Sequence, residues 1–83
     1  MLGYSQNLPT VLLIEGFAFK INTKDHTPPH THIWKSGLEV RLTLEGQQQM
    51  GGTTMRPADV RRAQAILTEN LGPLWEAWKA HHG

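Results

Sequence analysis

The sequence predicts an α+β fold: a small antiparallel sheet, a meander of three to four strands, packed against one C-terminal helix that is kinked or broken at Gly72-Pro73. Three observations carry this prediction. "LEVRLTLE" (Leu38 to Glu45) alternates apolar and polar residues throughout, the period of a strand with one buried face. "FAFKIN" (Phe17 to Asn22) does the same, with Phe17, Phe19 and Ile21 on one side. Val60, Ala63, Leu67, Leu71, Leu74 and Trp78 recur at intervals of three and four, the apolar stripe of an amphipathic helix.

Taken in order, residues 1–8 form an expected flexible N-terminus, and the sheet occupies 9–45. "PTVLLI" (Pro9 to Ile14) is short, apolar and partly β-branched, and Glu15-Gly16 turns it into the Phe17 strand. "TKDHTPPH" reads as a loop, because Pro28 and Pro29 offer no backbone donor and push their predecessors out of the helical region. "THIWK" resumes alternation, and Ser36-Gly37 turns into the Leu38 strand, whose Leu38, Val40, Leu42 and Leu44 should face inward. Residues 46–56 carry three glycines among polar neighbours and read as a flexible connection. Pro57 then opens the helix of 57–80, with Asp59 near its positive end. Pro73 removes the bond to the Glu69 carbonyl, which predicts a kink or a break into two helices there.

Composition excludes more than it assigns. Eighty-three residues make one domain, and a chain of this size buries only about 60% of its unfolded surface, so the core is thin. Zero cysteines rule out a disulfide staple, a thiolate metal site and a thiol nucleophile. Eight basic against seven acidic residues leave +1, which with no helix-turn-helix pattern disfavours DNA binding. The start of the chain shows no basic segment followed by a long apolar run. A cytoplasmic protein with no membrane partner is therefore expected.

The chemistry concentrates in "DHTPPHTHIWK" (Asp25 to Lys35), which places three of the five histidines within seven residues. In an extended "HTHIW", His30, His32 and Trp34 leave one face, and two imidazoles at i and i+2 stand roughly 6.6 Å apart at Cα, close enough to share one ion. The candidate metal ligands are thus His26, His30, His32 and Asp25, with His26 needing a turn to join and Asp25 acting as ligand or as holder of a tautomer. No cofactor is fixed by the sequence; the one these residues would take is a divalent metal such as zinc. Two other readings stand beside this one. The cluster is a set of side chains satisfying loop backbone groups, or it is a metal-free acid–base pair, His30 and His32 being the catalytic candidates and Arg41, Lys35 or Lys24 steadying phosphate charge. Arg61-Arg62 reads as a solvated helix face, and His81-His82 as a frayed tail. Trp34, Trp75 and Trp78 are candidate partner-binding residues, with a core role as their alternative.

"PTVL" at Pro9 to Leu12, "DHTPPHTH" at Asp25 to His32 and "LWEAW" at Leu74 to Trp78 together resemble a small bacterial family of domains of unknown function. That family carries an acidic residue before His-x-Pro-Pro-His-x-His and ends in a helix finishing in "LEAW" or similar. The chain departs from the pattern at the Gly- and Gln-rich stretch Gly46 to Gly52 and at Gly72-Pro73. The resemblance implies a gene beside a second small gene, and hence a protein-interaction component of a two-gene module of the toxin–antitoxin kind. Its expected partner is the small protein encoded nearby, with homo-oligomers and RNA as further partners to test. The alternative function is a metal- or histidine-dependent hydrolase, a ribonuclease among them, centred on His30 and His32.

Overall fold

The computed structural model describes residues 9–82; the expected flexible segment 1–8 lies outside the described residues. Four strands, β1 (Thr10–Ile14), β2 (Phe17–Lys20), β3 (His30–Lys35) and β4 (Leu38–Thr43), precede two helices, α1 (Pro57–Glu69) and α2 (Leu71–His82). The sheet order is β1-β2-β3-β4, with every neighbouring pair antiparallel. This is the meander that the alternation predicts. Both tight hairpins have positive φ at their two turn residues, 54° and 81° at Glu15-Gly16 and 52° and 79° at Ser36-Gly37. That is the turn whose twist matches the flanking strands, and it fixes the β3–β4 register with Lys35 opposite Leu38.

One sheet face makes the core. Phe17, Phe19, Ile21, Ile33, Val40 and Leu42 are sealed against Val60, Ala63, Ile66 and Leu67 of α1 and Leu74 and Trp78 of α2. The opposite face carries Ala18, Lys20, His32, Trp34, Glu39 and Arg41 and is only partly covered. The connection read as flexible is tied down at several points. Gln49 bridges to Leu42, the Thr43 amide donates to the Gln48 carbonyl, and the Met50 amide donates to the Arg41 carbonyl. Gln64 of α1 donates to the Gln47 carbonyl, and Met55 enters the core. This returning segment covers the outer edge of β4, where unpaired strand groups would otherwise face solvent.

The C-terminal region is broken into two helices, one of the two outcomes expected around Gly72-Pro73, with the break slightly upstream of that pair. The break falls at Asn70, whose side-chain amide donates to the Ile66 carbonyl at 2.8 Å and whose backbone amide donates to the Leu67 carbonyl at 3.0 Å. Pro73 sits in the first turn of α2, where its missing N–H leaves no intrahelical bond unmade. Helix α2 runs through His82, so the expected frayed tail is helical to that point. The His82 ring stacks on Trp78, with centroids 3.6 Å apart, and its Nδ1 meets the Trp78 carbonyl at 2.9 Å. Among the described residues no helix is long and apolar enough to cross a membrane.

Candidate functional site

The loop between β2 and β3 folds back on itself through Asn22. Its side-chain oxygen accepts the Lys24 amide at 2.9 Å and its carbonyl accepts the Asp25 amide at 3.2 Å, so a short polar side chain closes the turn that presents Asp25. At the other end, the Pro29 carbonyl accepts the Leu44 amide at 2.9 Å, extending the β3–β4 ladder by one bond and fixing where the strand begins. A proline suits that edge position because only its carbonyl is asked for. From there, alternation sends His30 and His32 to one side, their ring centroids 5.2 Å apart.

Both imidazoles converge on a single oxygen. Asp25 Oδ2 lies 2.9 Å from His30 Nε2 and 2.6 Å from His32 Nε2. The other ring nitrogens are also engaged: His30 Nδ1 meets the Pro28 carbonyl at 2.8 Å, and His32 Nδ1 meets Glu39 Oε2 at 2.6 Å. A carbonyl oxygen only accepts, so His30 Nδ1 carries the proton and, in the neutral ring, Nε2 is bare. His32 has a carboxylate at each ring nitrogen, Glu39 at Nδ1 and Asp25 at Nε2, and its contacts suit either tautomer. The two Nε2 atoms and one carboxylate oxygen are placed as a donor set, one atom from each of Asp25, His30 and His32 lying within 4.8 Å of the others. Each imidazole is braced through its other nitrogen by an acceptor, as ligating histidines are.

The setting is half-buried. The His30 side chain is 6% exposed because Trp78 of α2 packs against it, with centroids 5.8 Å apart. His32, Asp25 and Glu39 keep a progressively larger opening to solvent. His26, the fourth metal candidate, is exposed and is not among the grouped donors. Of the cations suggested for phosphate, Arg41 stands opposite His32 on the same face. Lys35 lies on the core side, over the Phe17 ring and 3.6 Å from Asp59, and Lys24 is exposed in the loop. The three tryptophans part company. Trp78 is 5% exposed, in the core, Trp75 is half-buried, and Trp34 is open on the outer face.

Glu39 was not among the sequence candidates, nor was the Pro28 carbonyl. The signal for Glu39 lay in the hairpin: a two-residue turn at Ser36-Gly37 pairs Trp34 with Glu39 and His32 with Arg41. Glu39 is therefore the diagonal neighbour of His32 on one face. Away from the site, Arg62 forms a two-pronged pair with Glu15, Nε to Oε1 at 2.8 Å and Nη2 to Oε2. That hydrogen bonding holds the Glu15 carboxyl below its ordinary range and raises the Arg62 guanidinium above its own. Half of the expected solvated arginine face is thus a clasp between α1 and the first hairpin.

Compared with known proteins, the chain matches the model of a family described as a domain of unknown function (DUF4160) over residues 16–79. No curated protein and no solved structure matches it.

Proposed function

The chain belongs to the DUF4160 family, and we propose that it is a divalent-metal protein whose Asp25, His30 and His32 hold a zinc-type ion at a hydrolytic centre. One observation carries the reading: the Nε2 atoms of His30 and His32 meet at one carboxylate oxygen, while an acceptor at each Nδ1 is placed to hold the proton there when Nε2 ligates. Two histidines and one carboxylate, with further positions open, are the donor set of catalytic rather than structural zinc. Bonds of about 2.0–2.1 Å place donors slightly farther apart than hydrogen-bond contact, so a small outward turn of Asp25 accompanies loading. A divalent ion there supplies Lewis acidity toward a carbonyl or phosphoryl oxygen and activation of water.

The remaining work belongs to the protein. Pro28 and Glu39 hold the two rings in orientation and tautomer. Trp78 keeps water off His30, and the exposed side at Asp25 and Glu39 leaves substrate a way in. The two-gene expectation joins this reading naturally, since a hydrolytic half is what the other half of a toxin–antitoxin pair would restrain. Co-purification with the product of the adjacent gene tests that part.

The metal is tested by elemental analysis of protein purified without chelators. Wild type and a His81→Ala/His82→Ala control should carry close to stoichiometric zinc, and His30→Ala/His32→Ala should carry none. Wild type without bound or bindable zinc, or a double variant that keeps it, refutes the proposal.

A further inference from the structure

The outer face of the sheet holds a second group of side chains that metal binding leaves unused. The register sets Lys20 opposite His32 and His32 opposite Arg41, so one imidazole has a cation on each side, with directly paired Cβ atoms roughly 4.5–5.5 Å apart. Among the described residues neither Lys20 nor Arg41 forms an ion pair, whereas Lys35 and Arg56 meet Asp59 and Arg62 meets Glu15. The two carboxylates beside them, Asp25 and Glu39, are taken by the histidines. The Arg41 guanidinium lies over Gly51, where a Cβ would stand 2.8 Å from Nη2, so a bare backbone makes room for it.

The next row along the same face is apolar. Leu13, Ala18 and Trp34 are paired across β1, β2 and β3, and Leu13 and Trp34 are the exposed large hydrophobics of the described residues, at 71% and 36%. The rows are two residues apart, about 6.6 Å along the strands. An open sheet thus presents an indole face beside two unneutralised cations. This suits a ligand that alternates aromatic planes with anions. A protein partner of ordinary interface size needs a far larger apolar patch than two side chains. Duplex grooves need a protruding element, which a sheet face lacks.

We propose that this face binds single-stranded nucleic acid, a base stacking on Trp34 beside Leu13 while Lys20 and Arg41 take the flanking phosphates, which seats a phosphodiester next to His32. The proposal deepens the hydrolytic reading by naming its substrate class and rests on that reading for the reaction, though not for binding.

The test is fluorescence anisotropy with an end-labelled oligouridine in EDTA at low salt. Wild type should bind. Lys20→Gln/Arg41→Gln should weaken binding and reduce the slope of log affinity against log salt by about 1.4, since each phosphate contact on a single strand contributes about 0.7. Trp34→Ala should weaken it roughly 5- to 150-fold, and Trp34→Phe should restore most of the loss. Circular dichroism confirms that each variant is folded, and Trp34→Phe serves if Trp34→Ala is not. His30→Ala/His32→Ala should still bind the oligomer while losing zinc. If wild type binds the oligomer but no zinc, this proposal stands and the metal reading fails. If wild type binds zinc but no oligomer, the reverse holds. Unlabelled single-stranded DNA competing as well as RNA supports the proposal, because stacking and phosphate contacts need no 2′-hydroxyl. Duplex competing equally well, or variants indistinguishable from wild type, overturns it.

Discussion

Replacing Glu39 by Ala removes the acceptor that fixes the His32 ring while leaving all three proposed ligands in place. At 2.6 Å from Nδ1 the Glu39 carboxylate is placed to hold the proton on that nitrogen when Nε2 ligates the proposed ion, and it stops the ring from turning. Without it the imidazole divides between two tautomers, only one of which can ligate, and swings toward solvent. Loss of such a partner costs roughly 10- to 100-fold in metal affinity, or about 1.4–2.8 kcal/mol. The fold should be unaffected: Glu39 is on the outer face, and its backbone carbonyl still accepts from Thr53 Oγ1 at 2.5 Å. Zinc affinity is read by competition with a chromophoric chelator at fixed pH and salt. Glu39→Gln, which keeps an acceptor but no charge, should fall between wild type and Ala. Thr43→Ala, on the same strand but bonded only to Glu45 and Gln48, should change nothing. A folded Glu39→Ala protein with wild-type zinc affinity would show that no tautomer is being held and that His32 does not ligate through Nε2.

Three further outcomes follow from the same geometry. Asp25→Asn should abolish zinc binding, by more than roughly 100-fold given the loss of a charged ligand rather than its support, yet fold normally, because the new amide can donate to a bare Nε2; elemental analysis and circular dichroism check the two halves. Phe19→Ala, at a fully buried ring in the second strand, should cost about 3–5 kcal/mol in urea unfolding, a large part of the roughly 4–12 kcal/mol available to a chain this size. Glu15→Gln should lower the thermal midpoint slightly near neutral pH. Because Arg62 depresses the folded Glu15 value, the stabilisation is present above the ordinary carboxylate value and is lost as pH falls through the folded one. The difference from wild type should therefore close in acid and shrink with salt, as both groups are exposed; a difference indifferent to both counts against the clasp.

The sheet was legible because two independent signals agree. Alternation in "FAFKIN" and "LEVRLTLE" names the buried side, and two-residue turns at Glu15-Gly16 and Ser36-Gly37 set which residues meet. The helical region was legible only as apolar spacing. Leu67, Leu71, Leu74 and Trp78 keep their intervals across the break at Asn70, so periodicity cannot register it, and Pro73 draws the eye to a position where proline is harmless. The 46–56 connection misled in the opposite sense. Its glutamines and glycines lack any period, yet Gln47, Gln48 and Met50 bond it to β4 and α1. For the site, local spacing yielded Asp25, His30 and His32. It also drew in His26, which the loop turns outward, and it omitted Glu39, which only cross-strand register can find.

A purely structural role for the cluster can be weighed by counting protons. The four contacts of His30 and His32, to the Pro28 carbonyl, Glu39 and twice to Asp25, all end on acceptors. With hydrogen bonds alone they need four protons crowded among two rings and two carboxyl groups, the ring centroids 5.2 Å apart and partly desolvated. A divalent ion at the Asp25 end would replace two of those protons, leave the net charge of the cluster the same, and let both rings be neutral. The contacts to Pro28 and Glu39 are identical in the two cases, and the difference lies wholly at Asp25 Oδ2. Four protons crowded among these groups are an expensive way to close a loop that Asn22 and the Pro29 carbonyl already close, and that expense is the physical ground for the proposed cation at Asp25 Oδ2.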